Sequence, residues 1–96
     1  MLLDLDKYLE DIEIHLKGEV LHVEAISNEY ANRFLASMRE QNKDIEKIQK
    51  LVIEFLNKNR EGKVFREENM NEEFTFKQLR ALIMFIISEI TGIEKN

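Results

Sequence analysis

The chain of 96 residues contains no cysteine, no proline and no tryptophan, and it has three glycines. Without cysteine there is no disulfide framework, no thiol nucleophile and no cysteine-ligated zinc site, and a cytoplasmic location is expected. The chain also carries neither a P-loop nor a GxGxxG motif, which are signatures of phosphate and dinucleotide binding. These absences exclude several of the usual enzyme chemistries.

Long apolar runs are also absent. The longest, residues 81–87, is far shorter than the roughly 20 residues that span a bilayer. The chain opens Met1-Leu2-Leu3-Asp4, which lacks the basic start of a secretory signal. We therefore expect no membrane partner.

The net charge of −5 is unevenly distributed along the chain. Residues 1–29 carry eight acids and two bases, residues 33–66 nine bases and five acids, and residues 67–96 six acids and three bases. This layout allows head-to-tail attraction between copies, although three ordinary solvated surfaces would give the same pattern. Acids interrupt the basic stretch, and no interleaving of aromatic and basic residues accompanies it, so we expect no nucleic-acid partner.

Residues 11–24 alternate polar and apolar side chains on both sides of Lys17-Gly18. A two-residue type I′ turn there brings the apolar residues to one face of a β-hairpin. The cross-strand pairs would be Leu16 with Glu19, Ile14 with Leu21, Ile12 with Val23, and Glu13 with His22. The alternative is a helix with the stripe Leu2, Leu5, Leu9, Ile12 and Leu16. We favour the hairpin, which would offer two free edges and would need the helices or another subunit for stability.

Three stretches have the apolar spacing of helices. The first, at about 28–41, follows the N-cap residue Ser27, and the second, at about 45–58, follows Asp44. A polar connector comes next, in which residues 64–71 could form a short helix. The third, at about 76–91, opens with a capping box of Thr75 and Gln78 and ends before Gly92. The predicted fold is a single domain, 1–96, mainly α, with three principal helices packed as a small bundle and an N-terminal β-hairpin.

The third helix is apolar on more sides than two neighbouring helices can cover. Such a helix is either buried on several sides within the fold or covered by a partner protein. We expect it to form the core through Leu82 and Ile86 and to support a homo-oligomer. The predicted protein interface consists of Phe74, Phe76, Leu79, Ile83, Ile87 and Ile90.

No constellation of residues indicates chemistry. In the predicted hairpin Glu13 faces His22, with His15 on the diagonal, which is either an incomplete metal-ligand set or a solvent-facing cross-strand pair. The second interpretation is simpler. No serine has a plausible histidine base nearby in sequence. We expect no catalytic residue, no metal and no cofactor.

The order of elements resembles the small tail assembly chaperones of long-tailed phages and prophages. The resemblance rests on the hairpin, the capped helix from Ser27 to Phe34, the helix from Ile45 to Leu56, and the stretch from Phe74 to Gly92 with its threonine before the final helix. The chain departs from that pattern after Leu56, where a charged connector replaces a short turn. The resemblance implies a non-enzymatic protein of the host cytoplasm that coats the tape-measure protein and recruits tail-tube subunits.

Two functional hypotheses follow. The first is a tail assembly chaperone that self-associates and binds the tape-measure protein. The alternative is a small helical-bundle inhibitor or immunity-type protein that binds a single protein target. Self-association separates them, because only the chaperone is expected to form oligomers alone.

Overall fold

The computed structural model describes residues 1–40 and 45–92. Its elements are a 3₁₀ turn at Leu5–Tyr8, the strands β1 (Ile12–Leu16) and β2 (Glu19–Val23), and the helices α1 (Asn28–Arg39), α2 (Ile45–Leu56), α3 (Glu67–Glu72) and α4 (Phe76–Thr91). The fold is mainly helical with an N-terminal hairpin, which confirms the predicted fold class. Within the described residues, no helix has the length and apolarity needed to cross a membrane.

The β-hairpin has the predicted register. Glu13 pairs with His22, and Leu16 with Glu19, in an antiparallel ladder. The two turn residues, Lys17 and Gly18, have φ of 52° and 78°. Positive φ at both positions is what a type I′ turn requires, and it suits the right-handed twist of the strands.

Side-chain caps fix the starts of the first and last principal helices. Ser27 Oγ accepts a hydrogen bond from the amide of Tyr30 at 3.1 Å. Thr75 Oγ1 accepts from the Gln78 amide at 3.0 Å, and Gln78 Oε1 accepts from the Thr75 amide at 2.8 Å. Gly92 ends α4 in the left-handed conformation, with φ of 71°. α1 ends at Arg39 and Glu40 is extended, so the helix is slightly shorter than the predicted 28–41. The predicted cap Asp44 lies outside the described residues.

The core is centred on α2 rather than on α4. Five residues of α2 are buried, whereas α4 contributes Leu82 and Ile86. The expectation that the last helix forms the core is therefore correct for these two positions and wrong for the helix as a whole. The other core residues come from the hairpin, α1, α3 and the connector: Leu16, Leu21, Val23, Tyr30, Phe34, Phe65 and Met70.

Two asparagines end α2 and fold the connector back on it. Asn57 exchanges two hydrogen bonds with the backbone of Phe65, at 2.7 and 3.0 Å. The buried Asn59 donates to the carbonyls of Leu56 and Lys63 at 2.7 Å and accepts from the Lys63 amide at 2.8 Å. Because these amides hold the connector, α2 ends at Leu56 instead of near residue 58, and the short helix begins at Glu67.

Candidate protein-interaction surface

An open apolar groove of about 390 Å³ runs between α2 and α4. We call it the α2–α4 groove. Its α2 wall consists of Ile45, Ile48, Gln49 and Val52, and its α4 wall of Phe76, Leu79, Arg80, Ile83 and Met84. Both walls follow the i, i+3, i+4, i+7 spacing that aligns residues along one side of a helix. The size of the groove lies within the roughly 300–1,000 Å³ of ligand-binding pockets.

Large apolar side chains at the mouth of the groove are exposed. Phe76 is 79% exposed, Ile45 74% and Met84 42%, whereas Val52 forms a fully buried floor. The capping box at Thr75 makes Phe76 the first residue of α4, which leaves its ring outside the packed part of the helix. An exposed apolar surface with a concave floor is typical of a protein-binding site.

The six predicted interface residues do not form one surface. Phe76, Leu79 and Ile83 line the α2–α4 groove. Phe74 lies on the opposite side of α4, where it shares a cavity with Ile14 and Leu16 of β1. Its ring is 6.1 Å from that of Phe65, between centroids.

The remaining two predicted interface residues, Ile87 and Ile90, are partly buried against the core and do not line the α2–α4 groove. Their side chains contribute to packing within the molecule. The groove also includes residues that the prediction did not contain, Arg80 and Met84 on α4 and the whole α2 wall.

A second exposed apolar surface lies at the start of the chain. Residues 1–10, here called the N-terminal segment, are all exposed. Their large apolar side chains are all at least 67% exposed: Met1, Leu2, Leu3, Leu5, Tyr8 and Leu9. Asp4 caps the 3₁₀ turn by accepting a hydrogen bond from the Asp6 amide at 3.1 Å. From the sequence, the leucines of this segment were considered only as part of a helical alternative to the hairpin. A leucine-rich stretch that does not pack in the core is itself an indication of an interface.

The hairpin presents one open edge rather than the two expected. On the β2 side, the amide of Arg60 donates to the His22 carbonyl at 2.8 Å, and the His22 amide donates to Glu61 Oε1 at 2.8 Å. The connector therefore covers this edge. On the β1 side, the backbone groups of Glu13 and His15 point away from β2, and no described residue pairs with them.

His22 belongs to an ion pair that crosses from the hairpin to the connector. Its Nδ1 donates to Oε2 of Glu61 over 2.7 Å, whereas Oε1 of Glu13 is 3.9 Å from its Nε2. The hydrogen bond with Glu61 raises the pKa of His22 above its ordinary value and lowers that of Glu61. Within residues 1–40 and 45–92 no three histidine or acidic side chains form a metal-binding group. The arrangement stabilises the contact between hairpin and connector.

A second ion pair joins the same two parts of the chain. The guanidinium of Arg60 donates to both carboxylate oxygens of Asp11, at 2.5 and 2.9 Å. This contact lowers the pKa of Asp11. Both pairs link residues far apart in the sequence, so no local pattern could have predicted them.

Comparison of the chain with protein-family models, with curated proteins and with solved structures gave no match.

Proposed function

We propose that this protein is a non-enzymatic tail assembly chaperone of a phage or prophage. It self-associates in the host cytoplasm and binds the tape-measure protein while the tail is built. The observation that carries the proposal is the α2–α4 groove, whose apolar mouth includes the exposed ring of Phe76. A protein partner that covers this surface removes apolar area from water, which favours binding.

The resemblance supplies the specific identity of the partners. The order of hairpin, capped helix, amphipathic helix and threonine-capped final helix is the pattern on which it rests, and the fold has these elements in this order. A chaperone of this kind has to hold an elongated, partly apolar protein along its length. Repeated contacts between copies, each made through the apolar groove of one copy, would build an extended array that serves that purpose.

The test compares two substitutions of exposed apolar residues. Phe76→Asp places a charge in the groove, and Val64→Asp places one on the connector, where Val64 is 65% exposed and does not line the groove. Each variant of the chain is co-expressed with a phage tape-measure protein, taken from the neighbouring genes where these encode one. We expect the unsubstituted protein and Val64→Asp to keep the tape-measure protein soluble and to co-purify with it, and Phe76→Asp to do neither.

Equal co-purification of both variants would mean that the groove is not needed to hold the tape-measure protein. The alternative function, an inhibitor or immunity-type protein with a single target, is favoured if the unsubstituted protein neither self-associates nor binds the tape-measure protein. In that case the groove would remain the first place to look for the target.

A further inference from the structure

We propose that the N-terminal segment of one copy docks in the α2–α4 groove of a second copy. The apolar anchors are Leu5, Tyr8 and Leu9. This inference rests on the self-association in the proposed function and identifies the two surfaces that make the contact.

The anchors have the spacing that the groove can receive. Leu5, Tyr8 and Leu9 stand at i, i+3 and i+4, so they share one side of a helical turn. They are 67%, 72% and 68% exposed, and the 3₁₀ turn that holds Leu5 and Tyr8 has no buried residue. Apolar anchors at this spacing on a helical segment, laid in a hydrophobic groove, are a common mode of peptide recognition.

Charges beside the two surfaces are complementary. Asp6 and Glu10 are four residues apart on the segment, next to the anchors, and neither makes an ion pair with a described residue. On the acceptor copy, Arg80 forms part of the groove wall, and Lys77 lies one helical turn before it. Neither of these bases has an ion-pair partner in the described part of the chain. Opposite charges at the rim of an apolar contact select its orientation.

The position of the segment indicates that its acceptor is another copy. Lys7 and Tyr8 lie beside Phe85 of the same chain, around a separate cavity next to the hairpin. Phe85 is two residues from Ile83 of the groove, and side chains two residues apart on a helix point about 200° away from each other. Segment and groove therefore occupy opposite sides of α4. A contact between them on different copies is head-to-tail, which builds rings or open arrays.

Two full-length double variants separate the partners of this contact. One carries Leu5→Ser and Leu9→Ser, so it lacks the anchors but keeps its groove. The other carries Phe76→Asp and Met84→Asp, so it lacks the groove but keeps its segment. All four positions are at least 42% exposed, so the substitutions remove little of the core. Val64→Asp is the matched control, because it adds a charge at an exposed apolar residue outside both surfaces.

Sedimentation velocity is measured on each protein alone and on an equimolar mixture of the two double variants. We expect each double variant to self-associate at least about tenfold more weakly than the unsubstituted protein. Burial of one large apolar side chain contributes roughly a factor of ten to a hundred, and each variant lacks two of them. The mixture should form a one-to-one heterodimer and nothing larger, because each pair has one intact segment facing one intact groove. Val64→Asp should behave as the unsubstituted protein does.

Three results would overturn the inference. If either double variant assembles as the unsubstituted protein does, the segment and the groove are not the contact. If the variants are monomers and the mixture stays monomeric, the two surfaces do not bind each other. If the unsubstituted protein is itself a monomer, both this inference and the self-association in the proposed function are wrong. If both double variants still assemble, only this inference is wrong.

Discussion

The substitution Ile86→Ala tests how α4 is held in the fold. Ile86 is fully buried in the core, and the change removes three carbon atoms from its side chain. At about 0.8 kcal/mol per carbon, the transfer contribution is roughly 2.5 kcal/mol, and the cavity left behind brings the total to about 2–5 kcal/mol. In a domain of this size, each kcal/mol lowers the melting temperature by about 4–8 °C.

Ile45→Ala is the matched control, because Ile45 is the same residue type on a helix but is 74% exposed. Its effect should stay within about 0.5 kcal/mol. Both variants are unfolded in urea at low protein concentration and followed by circular dichroism, with the slope of free energy against urea checked for change. Equal unfolding midpoints for the two variants would refute the packing of α4 against the core.

Three further predictions concern the hairpin and the connector. Asn59→Ala should lower the free energy of unfolding by about 1–3 kcal/mol, because it removes a buried side chain that makes three hydrogen bonds with Leu56 and Lys63. An unchanged urea midpoint would contradict the role of Asn59. Gly18→Ala should lower the free energy of unfolding by about 1–2 kcal/mol through backbone strain alone, since φ at this position is +78° and no atom lies within 4 Å of the new Cβ. Thermal unfolding measures this change, and an unchanged melting temperature would argue against the type I′ turn. Because the pKa of His22 is raised in the folded protein, protonated His22 stabilises the fold at pH values below the ordinary pKa of 6.5, and this stabilisation is lost as pH rises through the folded pKa. In Glu61→Gln, the free energy of unfolding should fall less over this pH range. The same pH dependence of unfolding in both proteins would contradict the His22–Glu61 pair.

Local features of the sequence predicted the hairpin, the three principal helices and the starts of the first and last of these helices. The period-two alternation around Lys17-Gly18 defined the hairpin register, because shifting it by one residue would turn the apolar residues to solvent. The cap residues Ser27 and Thr75 marked helix starts because their oxygens satisfy amides that the helix leaves free. These are short-range effects, which a single sequence contains in full.

Long-range features were not predictable from the sequence in the same way. The apolar pattern of α4 showed which residues avoid water, but it did not show which neighbour covers each side. Phe74 and Phe76 were therefore assigned to one interface, although they lie on opposite sides of the helix. The pair of His22 and Glu61 joins residues 39 positions apart, and only the fold brings them together.

The mass of the unsubstituted protein in solution is the measurement that tests the proposed function most directly. Sedimentation equilibrium over a wide range of protein concentration, at low and high salt, gives this mass. We predict species larger than the 11.5 kDa chain that grow with concentration. Salt should weaken them only in part, because it screens the charges beyond about 8–10 Å but leaves the apolar contact in place. A mass of 11.5 kDa at every concentration in low salt would contradict self-association and with it the proposed tail assembly chaperone.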